Sequence, residues 1–196
     1  MTLLKPRPRK CKMQQPGCEG KYRPRNSLQP CCLNPKCILE NKQRLAEKKW
    51  RKEKAEFRLK SKTKSDWTKE AQDAFNKWVR VRDYLAGYGC ISCGTKEAGQ
   101  YHAGHYRTTK AAPELRFHPL NAHLQCARCN NFDSGNIVEY RINLVKRIGR
   151  ELVEWIEGPH DPKKYTIDDL KHIKSTYTKA AKELEEGGAN GTTTTH

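Results

Sequence analysis

Eight of the nine cysteines in this chain fall into two groups whose spacing suits a metal ion. Cys90 and Cys93 in "CISC", with Cys126 and Cys129 in "CARC", give two CxxC pairs separated by 32 residues. Two thiolates two positions apart face one ion across a tight turn, and two such turns complete a tetrahedral Zn²⁺ site with no position left for water or substrate. Zinc here is therefore expected to be structural. A redox CxxC would be a single pair beside a βαβ pattern, and neither condition is met. Cys11, Cys18, Cys32 and Cys37, within "CKMQQPGCEGKYRPRNSLQPCCLNPKC", form a looser second set. The run "CCLNPKC" ahead of a helix-favouring "ILENKQRLAEK" looks like a treble-clef knuckle, in which the last cysteine opens a helix. One cysteine is left over, and spacing alone does not decide between Cys31 and Cys32.

Polar residues that a mere staple does not need lie between and just beyond the CxxC pairs. "GQYHAGHYRTTK" carries His102 and His105, "ELRFHPLNAHLQ" carries His118, Asn121 and His123, and Asn130 and Asp133 follow the last cysteine. Each has a plain reading. A lone His102 or His118 is a surface or packing histidine, and Asn121 satisfies a turn. Asn130 caps a helix, and Asp133 is the acid that any helix start favours. It is their joint occurrence that calls for another explanation.

The elements that must hold these residues are mostly helical. At 196 residues, 35% hydrophobic and 31% charged, the chain suits one or two small domains with little core-forming material. Lys and Arg outnumber Asp and Glu 39 to 22, for a net charge of +17, which points to a polyanionic partner, nucleic acid foremost. No apolar run approaches the roughly 18 residues of a spanning helix. "MTLLKPRPRK" has no apolar stretch after it, so no secretion signal is expected, and reduced thiols in a cytoplasm follow. Residues 38–64 read as a solvent-exposed basic helix, because Leu45, Trp50 and Phe57 are too sparse for a core stripe. Lys48, Lys49, Arg51 and Lys52 on it are candidate DNA contacts, unless the helix is only a solvated linker. A second helix begins near Asp66 and stops near Gly87. Trp67, Ala71, Ala74, Phe75, Trp78, Arg82 and Leu85 make its stripe, either an internal core or part of a subunit interface. "GQYHAGHYR" and "NAHLQC" predict two strands, and "CNNFDSGNIVEYRI" predicts a helix starting near the second CxxC. "IVEYRINLVKRIGRELVEWIEG" predicts a helix interrupted near Gly149, and Thr166 with Asp169 has capping-box spacing for a last one. "GGANGTTTTH" is low-complexity and expected to be disordered. The expected divisions are a knuckle over 1–40, a basic helical linker over 41–65, a core over 66–160, a C-terminal helix over 161–186 and a tail over 187–196. The fold class is α+β, mostly helical.

The order His105, Asn121, CxxC, Asn130 resembles the HNH, or ββα-metal, nucleases. "AGHYRTTKAAPELRFHPLNAHLQC", "CNN…SGNIVEYR" and the N-terminal cysteines together resemble the NinG/Rap recombination proteins of lambdoid phages, over roughly residues 5–180. The resemblance implies a zinc-stapled ββα nuclease core. It implies a structure-specific endonuclease cutting Holliday junctions and D-loops in the cytoplasm of the bacterial host. By position, His105 activates water, Asn121 orients it, and Asn130 with Asp133 helps bind a catalytic Mg²⁺ or Mn²⁺. The family pattern has Asp before the catalytic His, where this chain has Gly104, so His102 is the substitute ligand. His123 is a spare candidate. Arg107, Lys110 and Arg116 are expected to grip phosphates. Symmetric cutting of a junction implies a homodimer, with no small-molecule substrate and no membrane partner. The rival classes are a non-catalytic zinc-dependent binder of branched DNA and an RNA-processing zinc protein.

Overall fold

The computed structural model describes residues 6–190, and the chain divides into two compact units, residues 1–62 and 63–196. In the first, β1 (Arg9–Lys10) pairs antiparallel with β2 (Lys21–Tyr22), and the Cys11 amide donates to the Gly20 carbonyl at 2.8 Å. Helix α1 then runs from Pro35 to Lys60. Asn34 is its N-cap, accepting from the amides of Lys36 and Cys37 at 2.9 and 3.3 Å while its own amide donates to the Gly17 carbonyl. One side chain thus satisfies two orphan donors of the first turn and ties the helix to the knuckle. Pro35 at the first helical position has no amide to leave unpaired. Cys37 is the one buried residue of this helix, so the expected exposure of the basic segment is what the fold has. The knuckle's last cysteine, Cys37, lies in the first turn of α1, the helix opening expected of a treble clef.

In the second unit, Thr63 and Asp66 form a full capping box that starts α2 (Lys64–Leu85) two residues before the expected Asp66. Trp67, Ala71, Phe75 and Val79, four residues apart, are buried with Leu170 of α5 (Ile167–Asn190) and with Phe117 and Ala122. Phe75 meets Tyr177 edge-on at 4.9 Å and Phe117 at 5.9 Å. Trp67 and Phe75, with the partly buried Trp78, therefore build an internal core, and the alternative of a subunit interface through them is set aside. Thr166 and Asp169 cap α5 as expected, and this helix extends through residues 187–190. Residues 191–196 of the expected disordered tail lie outside the described residues.

Strands β3 (Tyr101–His105) and β4 (Ala122–Cys126) pair antiparallel, with Tyr101 opposite Cys126 and His105 opposite Ala122. On one face of this ribbon lies the α2–α5 core. A second apolar core gathers Ile91, Tyr106, Leu115, Tyr140, Leu144, Val153 and Ile156. Its helices are α3 (Ile137–Ile148) and α4 (Arg150–Glu157), broken at Gly149, whose φ of +88° ends the first helix as the sequence predicts. The start of α3 departs from expectation. The last cysteine, Cys129, lies within a short π-helical turn, Arg128–Phe132, and then Ser134, Gly135 and Asn136 all take positive φ before the helix begins. Among the described residues no helix is long and apolar enough to cross a membrane.

Candidate functional site

Both cysteine sets assemble. Cys90, Cys93, Cys126 and Cys129 bring their sulfurs within 4.8 Å of one another, as do Cys11, Cys18, Cys32 and Cys37, so Cys32 joins the set that could hold an ion and Cys31 stays buried outside it. A Zn–S bond of about 2.3 Å gives a tetrahedron whose edges are roughly 3.8 Å. Cys93 and Cys126 are 3.8 Å apart and Cys18 and Cys32 3.5 Å, so both donor sets fit zinc in size and in chemistry. The CxxC turns are shaped by the backbone. The Gly94 amide donates to the Cys90 carbonyl, and the Cys90 amide to the Thr95 carbonyl, both at 2.8 Å. Ile91 continues the hydrogen bonding onto Leu124 of β4, fastening the turn to the ribbon.

His105 closes β3 at the end of the ribbon away from this centre. Its Nε2 lies 2.9 Å from the Arg116 carbonyl, and since a carbonyl only accepts, the proton sits on Nε2 and the lone pair on Nδ1. The ring lies 5.9 Å from that of Phe75. Burial depresses its pKa, opposed by the Arg116 carbonyl, aided by the Arg116 charge, and opposed again by the Ala103 carbonyl. The result is a neutral imidazole at pH 7.

Asn121 is fully buried and acts through the backbone. Its Oδ1 accepts from the Arg107 amide at 2.8 Å, and its Nδ2 donates to the carbonyls of Arg107 and Leu115 at 2.9 and 3.2 Å. It therefore pins both ends of the 107–115 loop, whose next residue supplies the carbonyl that holds His105. Asn121 is a positioning residue for that ring, without touching it.

Among the described residues, no hydrogen bond or ion pair joins the expected ion ligands His102, Asn130 and Asp133 to the expected base His105. His102 and His105 are three residues apart on a strand, so they point to opposite faces. The Nε2 of His102 is buried with no hydrogen-bond partner. The Gly104 position is filled from outside: a Cβ there would come within 2.0 Å of the Gln125 Oε1. Gln125 is itself buried and donates to the Ser92 hydroxyl and the Gly135 carbonyl at 2.7 and 2.6 Å. Asn130 and Asp133 follow the thiolate centre at the far end of the ribbon, where Asn130 donates to Asn131 at 2.7 Å. Asp133 lies 3.6 Å from Arg128. The wider winding of the π-helical turn also removes the shared face that an α-helical i,i+3 spacing would have given them. Among the described residues, the groups of three or more His, Cys, Asp or Glu that could hold an ion are the two cysteine tetrads. Neither tetrad includes His102 or Asp133.

The expected phosphate contacts divide likewise. Arg107 caps the C-terminus of α4, its Nη1 donating to the carbonyls of Ile156, Glu157 and Gly158 at 3.0–3.3 Å. Arg116 donates to Gln72 at 3.3 Å, whereas Lys110 is exposed. Lys48, Lys49, Arg51 and Lys52 are all exposed on α1. Arg51 pairs with Glu47, while Lys49–Glu53 and Lys52–Glu56 are 3.8 and 3.9 Å pairs of the weak surface kind.

Sequence reasoning missed one buried charge. Asp83 accepts from the Leu124 amide at 2.7 Å and meets Arg82 at 2.7 Å, Arg147 at 3.3 Å and His123 at 3.6 Å. Burial alone would raise its pKa, but the bonds from His123 and Arg82 hold it well below the carboxylate range. The spare candidate His123 is thus part of a bracket joining α2, α3 and β4. His118 packs its ring 4.9 Å from Trp155. An acid at the four-spaced position after Val79 was the available signal.

Two cysteine tetrads that could each hold a zinc ion, a basic helix and a helix-flanked ribbon define a small basic α+β protein that is mostly helical. The sequence profile described as "Bacteriophage Lambda NinG protein" matches residues 3–187, and the chain belongs to that family. It is 48% identical over 127 residues to "Protein ninG" of Escherichia phage lambda, covering 65% of this chain and 61% of that protein. To "Protein ninG" of Escherichia phage 933W it is 39% identical over 199 residues, covering 93% and 96%. To that of Salmonella phage P22 it is 46% identical over 129 residues, covering 66% and 63%. No solved structure matches it.

Proposed function

We propose that the chain is an endonuclease of branched recombination intermediates, acting in the host cytoplasm, where its thiols stay reduced. The observation that supports this reading most is His105: a neutral imidazole at a strand end, its Nε2–H donating to a carbonyl and its Nδ1 lone pair available as a base. In hydrolysis, Nδ1 takes a proton from water as the new O–P bond forms, and the departing 3′-oxygen takes a proton from solvent as its P–O bond breaks. Lys110 is exposed close by in sequence to bind a flanking phosphate. Paired cuts across a four-way junction require two such bases, hence a homodimer.

The test is incision of an end-labelled four-way junction and of matched linear duplex, with Mg²⁺, with Mn²⁺ and with neither, and with His105→Ala alongside. Cuts confined to the junction and lost in the variant, at unchanged zinc content, support the base. Tight junction binding without cuts under every condition overturns it. That outcome is the second reading, a non-catalytic zinc-dependent binder of branched DNA. It is favoured by the absence, among the described residues, of any grouped set of three His, Asp or Glu ligands beyond the two cysteine tetrads, and by Gln125 occupying the space beside Gly104.

A further inference from the structure

Helix α1 carries a line of apolar residues that neither the knuckle nor the proposed chemistry uses. Leu39, Ala46, Trp50 and Phe57 are separated by seven, four and seven residues. At 100° per residue they fall within about 40° of one another on the helix surface. All are exposed: Leu39 and Trp50 at 55% and Phe57 at 71%. A core-facing helix would bury such a line, and α1 buries only Cys37.

The charges around the line decide what suits it. Lys42, Lys49 and Lys60 flank it on one side, with Glu53 among them 3.8 Å from Lys49, and Lys36 and Lys54 on the other, with the Lys54 ammonium 4.4 Å from the centroid of Trp50. The helix as a whole holds ten Lys and Arg against four Glu. A second copy of the same helix laid on this line would bring the five flanking lysines of each copy to the edges of the seam against one acid each, Glu53, an excess of like charge that pairing in coiled coils avoids. A strand of unpaired nucleotides supplies what the surface lacks: flat bases for the rings and phosphates for the flanking ammonium groups.

We infer that the Leu39–Phe57 face of α1 is a stacking surface for single-stranded DNA, with Trp50 and Phe57 as the platforms and the flanking lysines as phosphate contacts. That the strand is DNA rests on the function proposed above; the stacking itself does not depend on any cut being made. Duplex, whose bases are already stacked, engages only the lysines.

The experiment is fluorescence anisotropy with the full chain at fixed salt and no added divalent ion. The probes are an oligo-dT strand of about 16 nucleotides, within the site sizes such surfaces cover, and a duplex of equal length. Trp50→Ala with Phe57→Ala is expected to weaken binding of the single strand roughly 30-fold or more, from the loss of two stacked rings. Duplex affinity should fall less than about threefold, because phosphate contacts remain. Trp50→Tyr with Phe57→Tyr should restore the single-strand affinity, which a merely structural role would not require. Lys42→Gln with Lys49→Gln should weaken both probes and flatten their salt dependence. Equal losses on strand and duplex, or no loss on either, overturn the inference. So does a change in sedimentation from dimer to monomer with strand binding intact, which would make the face a seam between copies. Because binding is read without cleavage, these outcomes stand apart from those of the His105→Ala assay.

Discussion

The knuckle of residues 11–37 and the ribbon of residues 101–126 are both closed by four thiolates, yet they depend on them unequally. Around the first tetrad the buried material is Cys11, Cys31 and Cys37, with Met13 and Tyr22 partly covering them. The second tetrad is just as small locally, with Ala98 and Tyr101 beside it, but large apolar cores stand beyond it, one built on Phe75 and Leu170 and one on Tyr140 and Leu144. Burial of such side chains contributes on the order of 2 kcal/mol each, which the knuckle has almost no means to match. In the knuckle a bound zinc would be the core, whereas in the ribbon it would be a clip on a structure that has one.

Stripping the zinc with a chelator at neutral pH is the strongest way to break that comparison. Structural zinc binding carries on the order of 10 kcal/mol or more of folding free energy in small domains. Amide hydrogen exchange should then show protection lost across residues 9–37, while residues 67–79 and 140–156 keep theirs. Uniform loss would mean the ribbon also owes its fold to the metal, and uniform retention would mean that neither does.

The buried charge bracket should come next in size. Asp83→Ala leaves Arg82, Arg147 and His123 facing one another with no carboxylate, and removes the acceptor of the Leu124 amide. Breaking a buried pair in this way costs about 3–5 kcal/mol. Denaturant melts should register that loss with zinc still bound, which separates the bracket from the clip. A change under about 1 kcal/mol would show that these charges behave as surface pairs.

A finer contrast lies between two asparagines on either side of the CxxC, Asn121 five positions before it and Asn130 directly after it. Asn121→Ala removes three buried hydrogen bonds to the ends of the 107–115 loop and should cost about 2–3 kcal/mol. Asn130→Ala, on an accessible turn, should stay within about 0.5 kcal/mol. Thermal melts of the two variants side by side distinguish them. Equal costs would remove the distinction between a positioning residue and a surface one.

Those two asparagines also mark where the sequence could be read and where it could not. Local signals were legible: the cysteine spacings, the Thr166–Asp169 box, the break at Gly149 and the alternation that makes β3 and β4. The parity of His102 and His105 was equally legible, since three residues on a strand must reverse the face, and it argues against a shared ion. What sequence could not supply were partners far along the chain. Gln125 fills the space beside Gly104, Arg107 turns inward to cap α4, and Asp83 finds Arg147 some sixty residues away. The late start of α3 depends on Ser134 and Asn136 accepting positive φ, a conformation that composition permits but does not require.

The smallest effect expected is one of pH, and it bears on the ribbon unit alone. Burial lowers the pKa of His105, His118 and His123 below their ordinary value, with partners opposing it at His105 and His123, while the His160 charge lowers His118 further. The unfolded chain therefore binds protons on these rings at a pH where the folded chain does not. Stability must rise with pH through the window just below about 6.5 and flatten above it. As pH falls through that window, melting temperatures measured with zinc in excess should decline for residues 63–190. The knuckle, which contains no histidine, should be insensitive over the same range until its thiolates release the metal. Replacing His118, the one of the three with no carbonyl or carboxylate supporting its charge, by Gln should make the decline shallower. An unchanged slope would shift the effect to His105 and His123, and a flat profile in the parent chain would mean that these rings take up protons alike in the folded and unfolded chain, so that burial does not depress them.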